Sequence, residues 1–385
     1  MRRLRLAERA DWRTQAEACG FVHHSPHGQP YWDESLYYAF SLRQIEDDIE
    51  AASMELHAMA MDMVDRIIGR EDLLQSLAIP ASHRDWIATS WRQRDPSLYG
   101  RLDLAYDGSG PVKLYELNYD TPTSLFEAAW FQWGWLEDQR SARHLPASAD
   151  QFNSLHEALI ARFGTLRESL AQPLYFTALA GWPEDQATVA YLRDCAIQAG
   201  LDTRAIDLQQ IGQTRDGRCT DLEDTIIRSL FKLYPLEDMI RDRYGQDLPR
   251  SGLQLIEPPW KAVLSNKGLL PLLWQYYPGH PLLLEARFDD GRHAVPAGWV
   301  RKPLHSREGA NIEIHAGDGR QWQSSGPYAG PWIIQRYHPL PDFDGGRPVL
   351  GSWMIDDQPC GLGIREDDQP ITGNLARFVP HAIID

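Results

Sequence analysis

Within the run Leu98 to Asn118, LYGRLDLAYDGSGPVKLYELN, four polar side chains recur in two pairs: Arg101 with Asp103, and Glu116 with Asn118. Members of each pair are two residues apart, so on a β-strand they point to one side. Asp107-Gly108-Ser109-Gly110-Pro111 between the pairs is hairpin chemistry, and a hairpin can make the two pairs cross-strand neighbours. Two carboxylates and a carboxamide oxygen form a hard-oxygen donor set suited to octahedral magnesium shared with phosphate oxygens, with Glu116 able to bridge two ions. On spacing alone, two solvated strand faces with a surface Arg101–Asp103 contact are the stronger reading.

Further along, Lys302 lies in the largely apolar strand pattern Trp299-Val300-Arg301-Lys302-Pro303, followed by the loop His305-Ser306-Arg307-Glu308-Gly309-Ala310-Asn311. A strand lysine aimed at phosphates, covered by backbone N–H groups of a glycine loop, is one way to hold a triphosphate. A snorkelling edge lysine beside an ordinary turn looks the same in sequence. Lys267 opens the helix-like run LLPLLW and could be a second phosphate ligand or simply a helix-terminus lysine. Gln335-Arg336-Tyr337 ends the apolar strand WII, where backbone groups could read an adenine edge, as at many strand ends. Together these groups would serve the activation of a carboxylate by ATP: magnesium on hard oxygens, cations on the triphosphate, and a covering loop.

These residues must be positioned by a mixed α+β chain. Ile45, Ile49, Ala52, Leu56, Met59, Met63 and Ile67 fall at spacings of three and four, predicting a long amphipathic helix between Asp33 and Gly69. Before it, His23, His24 and His27 lie among Ser25, Pro26, Gly28 and Pro30, which reads as an exposed loop rather than a metal site. Pro173–Leu179 reads as a strand, Glu184–Ala199 as a helix ended by Gly200, and Leu201–Ile206 as a strand, a Rossmann-like βαβ unit. From Glu257 onward a helix start is followed by strands WVRKP and PWIIQRY and a final strand pair around GSWMIDDQPCGLGIRED. There is no internal repeat, and the expected organisation is interwoven: residues 1–150 with the helical segment and hairpin, 151–255 with the βαβ region, and 256–385 as the nucleotide-binding region.

Composition narrows the choices. With 54 Asp and Glu against 38 Lys and Arg in 385 residues, the net charge of −16 argues against a nucleic-acid surface. Cys19, Cys195, Cys219 and Cys360 lack the paired spacing of zinc or dithiol sites and read as reduced structural thiols. MRRLRLAERADW lacks a signal peptide's apolar stretch, and no segment reaches about 18 apolar residues, so the expectation is a cytoplasmic protein without a membrane span. Fourteen tryptophans, among them Trp130, Trp133 and Trp135, and the acidic pairs Asp47-Asp48 and Asp367-Asp368 could suggest a glycoside hydrolase. Core packing and solvated faces are the better reading of both.

The ordered strings YWDESLYYAF, LYGRLDLAYD, LYELNYDTPTSL, EPPWKAVLSNKGLLPLLW, VRKPLHSREGANI and GIREDDQPITGNLARFVPH, from about Tyr31 to His381, resemble the glutathionylspermidine synthase family. That resemblance implies an ATP-grasp fold with a pre-ATP-grasp segment. It also implies an ATP- and magnesium-dependent carbon–nitrogen ligase joining a glutathione-like peptide carboxylate to a polyamine such as spermidine through an acyl phosphate. By the resemblance, Arg101 is the catalytic arginine that steadies the transferring phosphoryl group, and Asp103, Glu116 and Asn118 hold two magnesium ions. Lys267 and Lys302 meet the ATP phosphates, Arg307, Gly309 and Asn311 belong to the lid, and Gln335, Arg336 and Tyr337 to the adenine hinge. Ile364, Arg365 and Glu366 lie on a later strand closing the nucleotide site. Where family members that use glutathione carry serines, this chain has Thr121 and Thr123 around Pro122, whose added methyls and ring reshape the pocket. Glu184 and Asp185 match a carboxylate pair near peptide and polyamine, although an acidic pair at a helix N-terminus is expected anyway. The bifunctional members' amidase domain has no counterpart, so ligation without hydrolysis is expected. The alternative from another class is a non-catalytic ATP-binding protein that kept the fold.

Overall fold

A computed structural model describes residues 1–384. The βαβ pattern forms as expected. Strands Leu174–Ala178, Thr203–Ala205, Ser229–Leu233 and Gln254–Ile256 make a four-stranded parallel sheet, in which Leu174–Ala178 lies between Thr203–Ala205 and Ser229–Leu233. Helix Pro183–Gln198 makes the first crossover, and the chain leaves it through Gly200 at φ +83°, a conformation open to glycine without a side-chain penalty. Phe176 and Phe231 stack at 5.4 Å beneath this helix layer. Chain order reverses between Leu174–Ala178 and Ser229–Leu233, and at the carboxyl ends of strands flanking such a switch point a crevice opens.

The hairpin read from sequence also forms: Tyr99–Ala105 pairs antiparallel with Lys113–Asn118. It does not stand alone. Tyr99–Ala105 pairs on its other edge with Arg347–Ile355, which continues to Gln358–Asp367 and Arg377–Phe378, giving a five-stranded sheet built from distant parts of the chain. A second five-stranded sheet carries Trp299–Pro303 between Trp332–Arg336 and Glu313–His315, with Ala286–Asp289 and Gln321–Gln323 at its edges. The interweaving is therefore strong, since the hairpin of the first third belongs to the sheet of the last.

The predicted helix needs one correction. Its apolar stripe is buried as expected, from Ile45 to Ile67, and the chain turns at Gly69 with φ +85°. Leu36–Phe40, however, is a strand, and the helix starts only after Ser41, with a π-helical stretch Gln44–Glu50 preceding Ala51–Ile67. All five residues of LYYAF are buried, because the strand pairs with Arg2–Arg5 on one side and His381–Ile383 on the other. A short apolar, aromatic run covered on both faces is a strand pattern that helical periodicity downstream obscured. The tryptophans divide: Trp135 is fully buried, whereas Trp130 is exposed and makes an edge-to-face contact with His156. Among the described residues no helix is long and apolar enough to cross a membrane.

Candidate active site

Register places Arg101 opposite Asn118 and Asp103 opposite Glu116, so all four side chains share one face of the hairpin. Arg101 donates through Nε and Nη2 to both oxygens of Asp103, at 2.6 and 3.0 Å, and through Nη1 to the Thr123 carbonyl at 2.7 Å. Its guanidinium lies 5.6 Å from the Trp353 ring centre. Gly351, paired with Asp103, makes room for it: a Cβ there would lie 2.8 Å from Arg101 Cδ. This buried, bidentate arrangement is far from the solvated contact that spacing alone favoured.

Asn118 Nδ2 donates to Asp103 Oδ2 at 2.9 Å and to Glu116 Oε1 at 3.3 Å. The two carboxylates thus converge on one point, and turning the Asn118 carboxamide brings a third oxygen to it. Burial pushes the Asp103 carboxyl up, against the pull of Arg101. Burial also acts to raise Glu116, but the ammonium groups of Lys267 and Lys302 overcome it and hold that group at about 2. Converging hard oxygens, with Asp103 buried and Glu116 and Asn118 half-buried, fit magnesium.

Two lysines remote in sequence flank Glu116. Lys267 Nζ lies 3.1 Å from Glu116 Oε2 and donates to the Ser306 carbonyl at 2.5 Å, at the foot of the glycine loop. Lys302, buried in its strand, donates to Gln335 Oε1 at 2.8 Å and contacts the Tyr115 carbonyl at 3.3 Å; burial pushes its ammonium down to about 8. The structure therefore gathers Arg101, Asp103, Glu116, Asn118, Lys267 and Lys302 into one cluster.

The loop after Lys302 folds towards the crevice of the parallel sheet. Arg307 Nη2 donates to Glu237 Oε1 at 2.7 Å, linking the loop to the short helix Leu236–Met239. Gly309, at φ +67°, packs so closely on the 369–373 segment that a Cβ would lie 2.4 Å from the Thr372 carbonyl oxygen. Asn311 Oδ1 accepts from the Tyr328 N–H at 2.8 Å.

Other predicted residues are placed differently. Gln335 serves Lys302 with its side chain, while the N–H groups of Arg336 and Tyr337 already donate to the carbonyls of Glu285 and Gly298, at 2.6 and 2.8 Å. Strand alternation splits Ile364-Arg365-Glu366. Arg365 shares the face of Arg101 and lies 5.4 Å from the Tyr31 ring centre. Ile364 is in the core, and Glu366 is fully buried on the opposite face, held by Arg3 at 2.6 and 2.8 Å, Arg377 at 2.6 Å and the Tyr38 hydroxyl. The side chains of Ile364 and Glu366 thus serve packing and a buried ion network, and of the three only Arg365 faces the site.

Beside Arg101 runs an acidic wall. Thr123 offers Arg101 its carbonyl, and the neighbouring Ser124 hydroxyl lies 2.9 Å from the Tyr31 hydroxyl. Tyr31 donates to Glu127 at 2.7 Å, and His23 Nε2 lies 3.1 Å from the same carboxylate oxygen. Ligand atoms of His23, Glu127 and Glu184 all lie within 4.8 Å of one another. Burial, reinforced by Glu127, pushes Glu184 up to about 7, and burial pushes Asp185 up to about 6 against the pull of Arg307. The expectation of an exposed histidine loop is corrected here: His27 is exposed, but His24 is buried and His23 is largely enclosed. Sequence reasoning missed Tyr31, Ser124 and Glu127 as well, because only long-range packing brings them to Glu184.

The sheets and the cation-lined hairpin define a glutathione synthetase-like ATP-grasp architecture. A glutathione synthetase-like effector from Globodera pallida superposes with a TM-score of 0.58 over 97% of this chain and 96% of its own, at 9% identity. The chain belongs to the glutathionylspermidine synthase preATP-grasp family, whose model matches residues 3–384. A Haemophilus influenzae protein with the provisional name acid–amine ligase is 38% identical over 372 residues, covering 94% of this chain and 93% of that protein. Trypanothione synthetase of Crithidia fasciculata is 26% identical over 84% of this chain. The bifunctional glutathionylspermidine synthetase/amidase of Escherichia coli is 25% identical over 93% of it. The chain spans 53% and 61% of the lengths of those two larger proteins.

Proposed function

We propose that this chain is an ATP- and magnesium-dependent carbon–nitrogen ligase that joins a peptide-like carboxylate to an amine through an acyl phosphate. One observation carries the reading: six residues from four separate segments, Arg101, Asp103, Glu116, Asn118, Lys267 and Lys302, meet in one half-buried cluster of alternating charge, with Asp103 and Lys302 buried. The names of the family and of its relatives agree with it.

Each group has a role in that reaction. Asp103, Glu116 and Asn118 would hold two magnesium ions, which when bound offset the charge of the phosphates. Lys267 and Lys302 neutralise phosphate oxygens. Arg101 is oriented by Asp103, Thr123 and Trp353 to face the transferring phosphoryl group and the carboxylate, and it stabilises charge that grows during transfer. The loop at 305–311 covers the site and excludes water that would hydrolyse the acyl phosphate. The incoming amine arrives as an ammonium, and the wall of Glu127, Glu184 and Asp185 attracts it. Glu184, pushed up to about 7, is suited to take the proton that the nitrogen must lose to attack. The peptide is glutathione-like and the amine a polyamine in this reading; Thr121 and Thr123 are the positions that tune the peptide.

The test is phosphate release with ATP and magnesium, pairing glutathione and other short peptides with a panel of polyamines and identifying products by mass. Release requiring both partners, with a product lighter than their sum by one water, supports the ligase. Nucleotide binding without turnover on any pair would support a non-catalytic ATP-binding protein instead.

A further inference from the structure

The strand that carries Arg101 and Asp103 begins beyond the end of its hairpin partner. Lys113–Asn118 stops at the pair Arg101–Asn118, so Leu98 and Tyr99 have no strand beside them on that edge. A buried ion pair fills the place. Glu257 accepts from the N–H of Leu98 at 3.0 and 3.2 Å and from that of Tyr99 at 3.2 Å. Lys261 Nζ lies 2.5 Å from Glu257 Oε2 and donates to the Tyr99 carbonyl at 2.5 Å. Both side chains are essentially inaccessible, at 3% exposure or less.

The same lysine reaches the second strand at this open end of the hairpin. Its Nζ lies 5.4 Å from the ring centre of Tyr119, the residue that follows Asn118. Tyr119 is fixed from three sides. Its N–H donates to Ser265 Oγ at 3.0 Å, its hydroxyl pairs with His57 Nδ1 at 2.8 Å, and its ring lies against Gly100, where a Cβ would be 2.5 Å from Tyr119 Cδ1. Glu257 follows directly on the parallel-sheet strand Gln254–Ile256, so the pair joins that sheet to both strands of the hairpin at its open end.

We infer that Glu257 and Lys261 are positioning residues that stand in for a missing strand and fix the orientation of Arg101, Asp103 and Asn118 towards the phosphates and their cations. This rests on the ligase reading above. Neither residue touches the cation-facing cluster in the structure, and both act through the backbone of Tyr99 and the ring of Tyr119. Groups that orient metal ligands from outside typically change metal affinity by about 10- to 100-fold when altered.

Two variants test it: Lys261→Met, which strands Glu257 in the interior, and the double variant Glu257→Gln/Lys261→Met, which removes both charges and keeps an acceptor for the N–H groups. Exchanging both members of a buried pair is often neutral for stability, so the double variant remains informative where the single one fails to fold. The readouts are thermal unfolding and Mn²⁺ affinity by electron paramagnetic resonance with a non-hydrolysable ATP analogue, beside ATP turnover. The expectation is a double variant that unfolds within a few degrees of the natural protein yet binds Mn²⁺ about tenfold or more weakly. A stable double variant with unchanged Mn²⁺ affinity and turnover overturns the positioning role and leaves the ligase reading intact. Failure of the natural protein itself to bind Mn²⁺ with the nucleotide analogue overturns both.

Discussion

Arg101→Lys keeps the charge and removes the fork. In the structure the guanidinium makes two bonds to Asp103, at 2.6 and 3.0 Å, and one to the Thr123 carbonyl at 2.7 Å, while lying over Trp353. An ammonium on a shorter stem keeps one of these contacts and loses its flat face. Two lost charge-assisted bonds at about 1.5 kcal/mol each amount to about 3 kcal/mol. If Arg101 is oriented for the transferring phosphoryl group, that loss is expressed in the transition state and equals about a hundredfold in rate. The assay compares kcat and kcat/KM for the productive peptide and amine at saturating ATP and magnesium, after circular dichroism shows an intact fold. A drop of about two powers of ten in kcat, with the ATP KM little changed, is expected. A variant within threefold of the natural enzyme would refute the assignment, because it would mean that the fork is structural.

Three further outcomes follow from the same geometry. Burial holds the Lys302 ammonium down at about 8, so its positive charge is present below that pH and lost above it; nucleotide affinity measured by calorimetry should fall as pH rises through about 8, and Lys302→Arg should remove the fall. Glu184, raised by folding from the usual carboxylate range to about 7, contributes its full share of stability at acidic pH and loses it as pH rises through 7, while its anion gains attraction for an ammonium; the KM for the amine should therefore fall over this window, and Glu184→Gln should flatten both trends. Lys232 and Asp120 form a buried pair at 2.5 Å that ties the end of the hairpin to the parallel sheet, so Lys232→Met, which leaves the Asp120 charge in the interior with only the Leu236 N–H on it, should cost about 3–5 kcal/mol in denaturant unfolding.

The legible parts of the fold were those set by local periodicity. The Met-rich stripe from Ile45 to Ile67, the crossover helix ending at Gly200 and the two-residue spacing of Arg101/Asp103 and Glu116/Asn118 all follow from 3.6- or 2-residue repeats, and all are present. Alternation also bears on Ile364-Arg365-Glu366, where only the middle side chain shares the face of Arg101. Other features depended on distant partners. Leu36–Phe40 became a strand because Arg2–Arg5 and His381–Ile383 flank it. His23 is enclosed because Glu127 accepts it, and Glu257 and Lys261, inside an otherwise ordinary proline-rich turn, gain their role from the unpaired backbone of Tyr99. Long-range pairing of this kind leaves no periodic trace in one sequence.

The central claim is that the substrate carboxylate itself attacks ATP, and oxygen transfer tests it directly. A peptide carrying ¹⁸O in the reacting carboxylate is incubated with ATP, magnesium and the amine, and the released phosphate is examined by mass spectrometry. An acyl phosphate route places one labelled oxygen in each phosphate formed. Unlabelled phosphate released in step with product would show that the carboxylate is not the phosphoryl acceptor and would contradict the account.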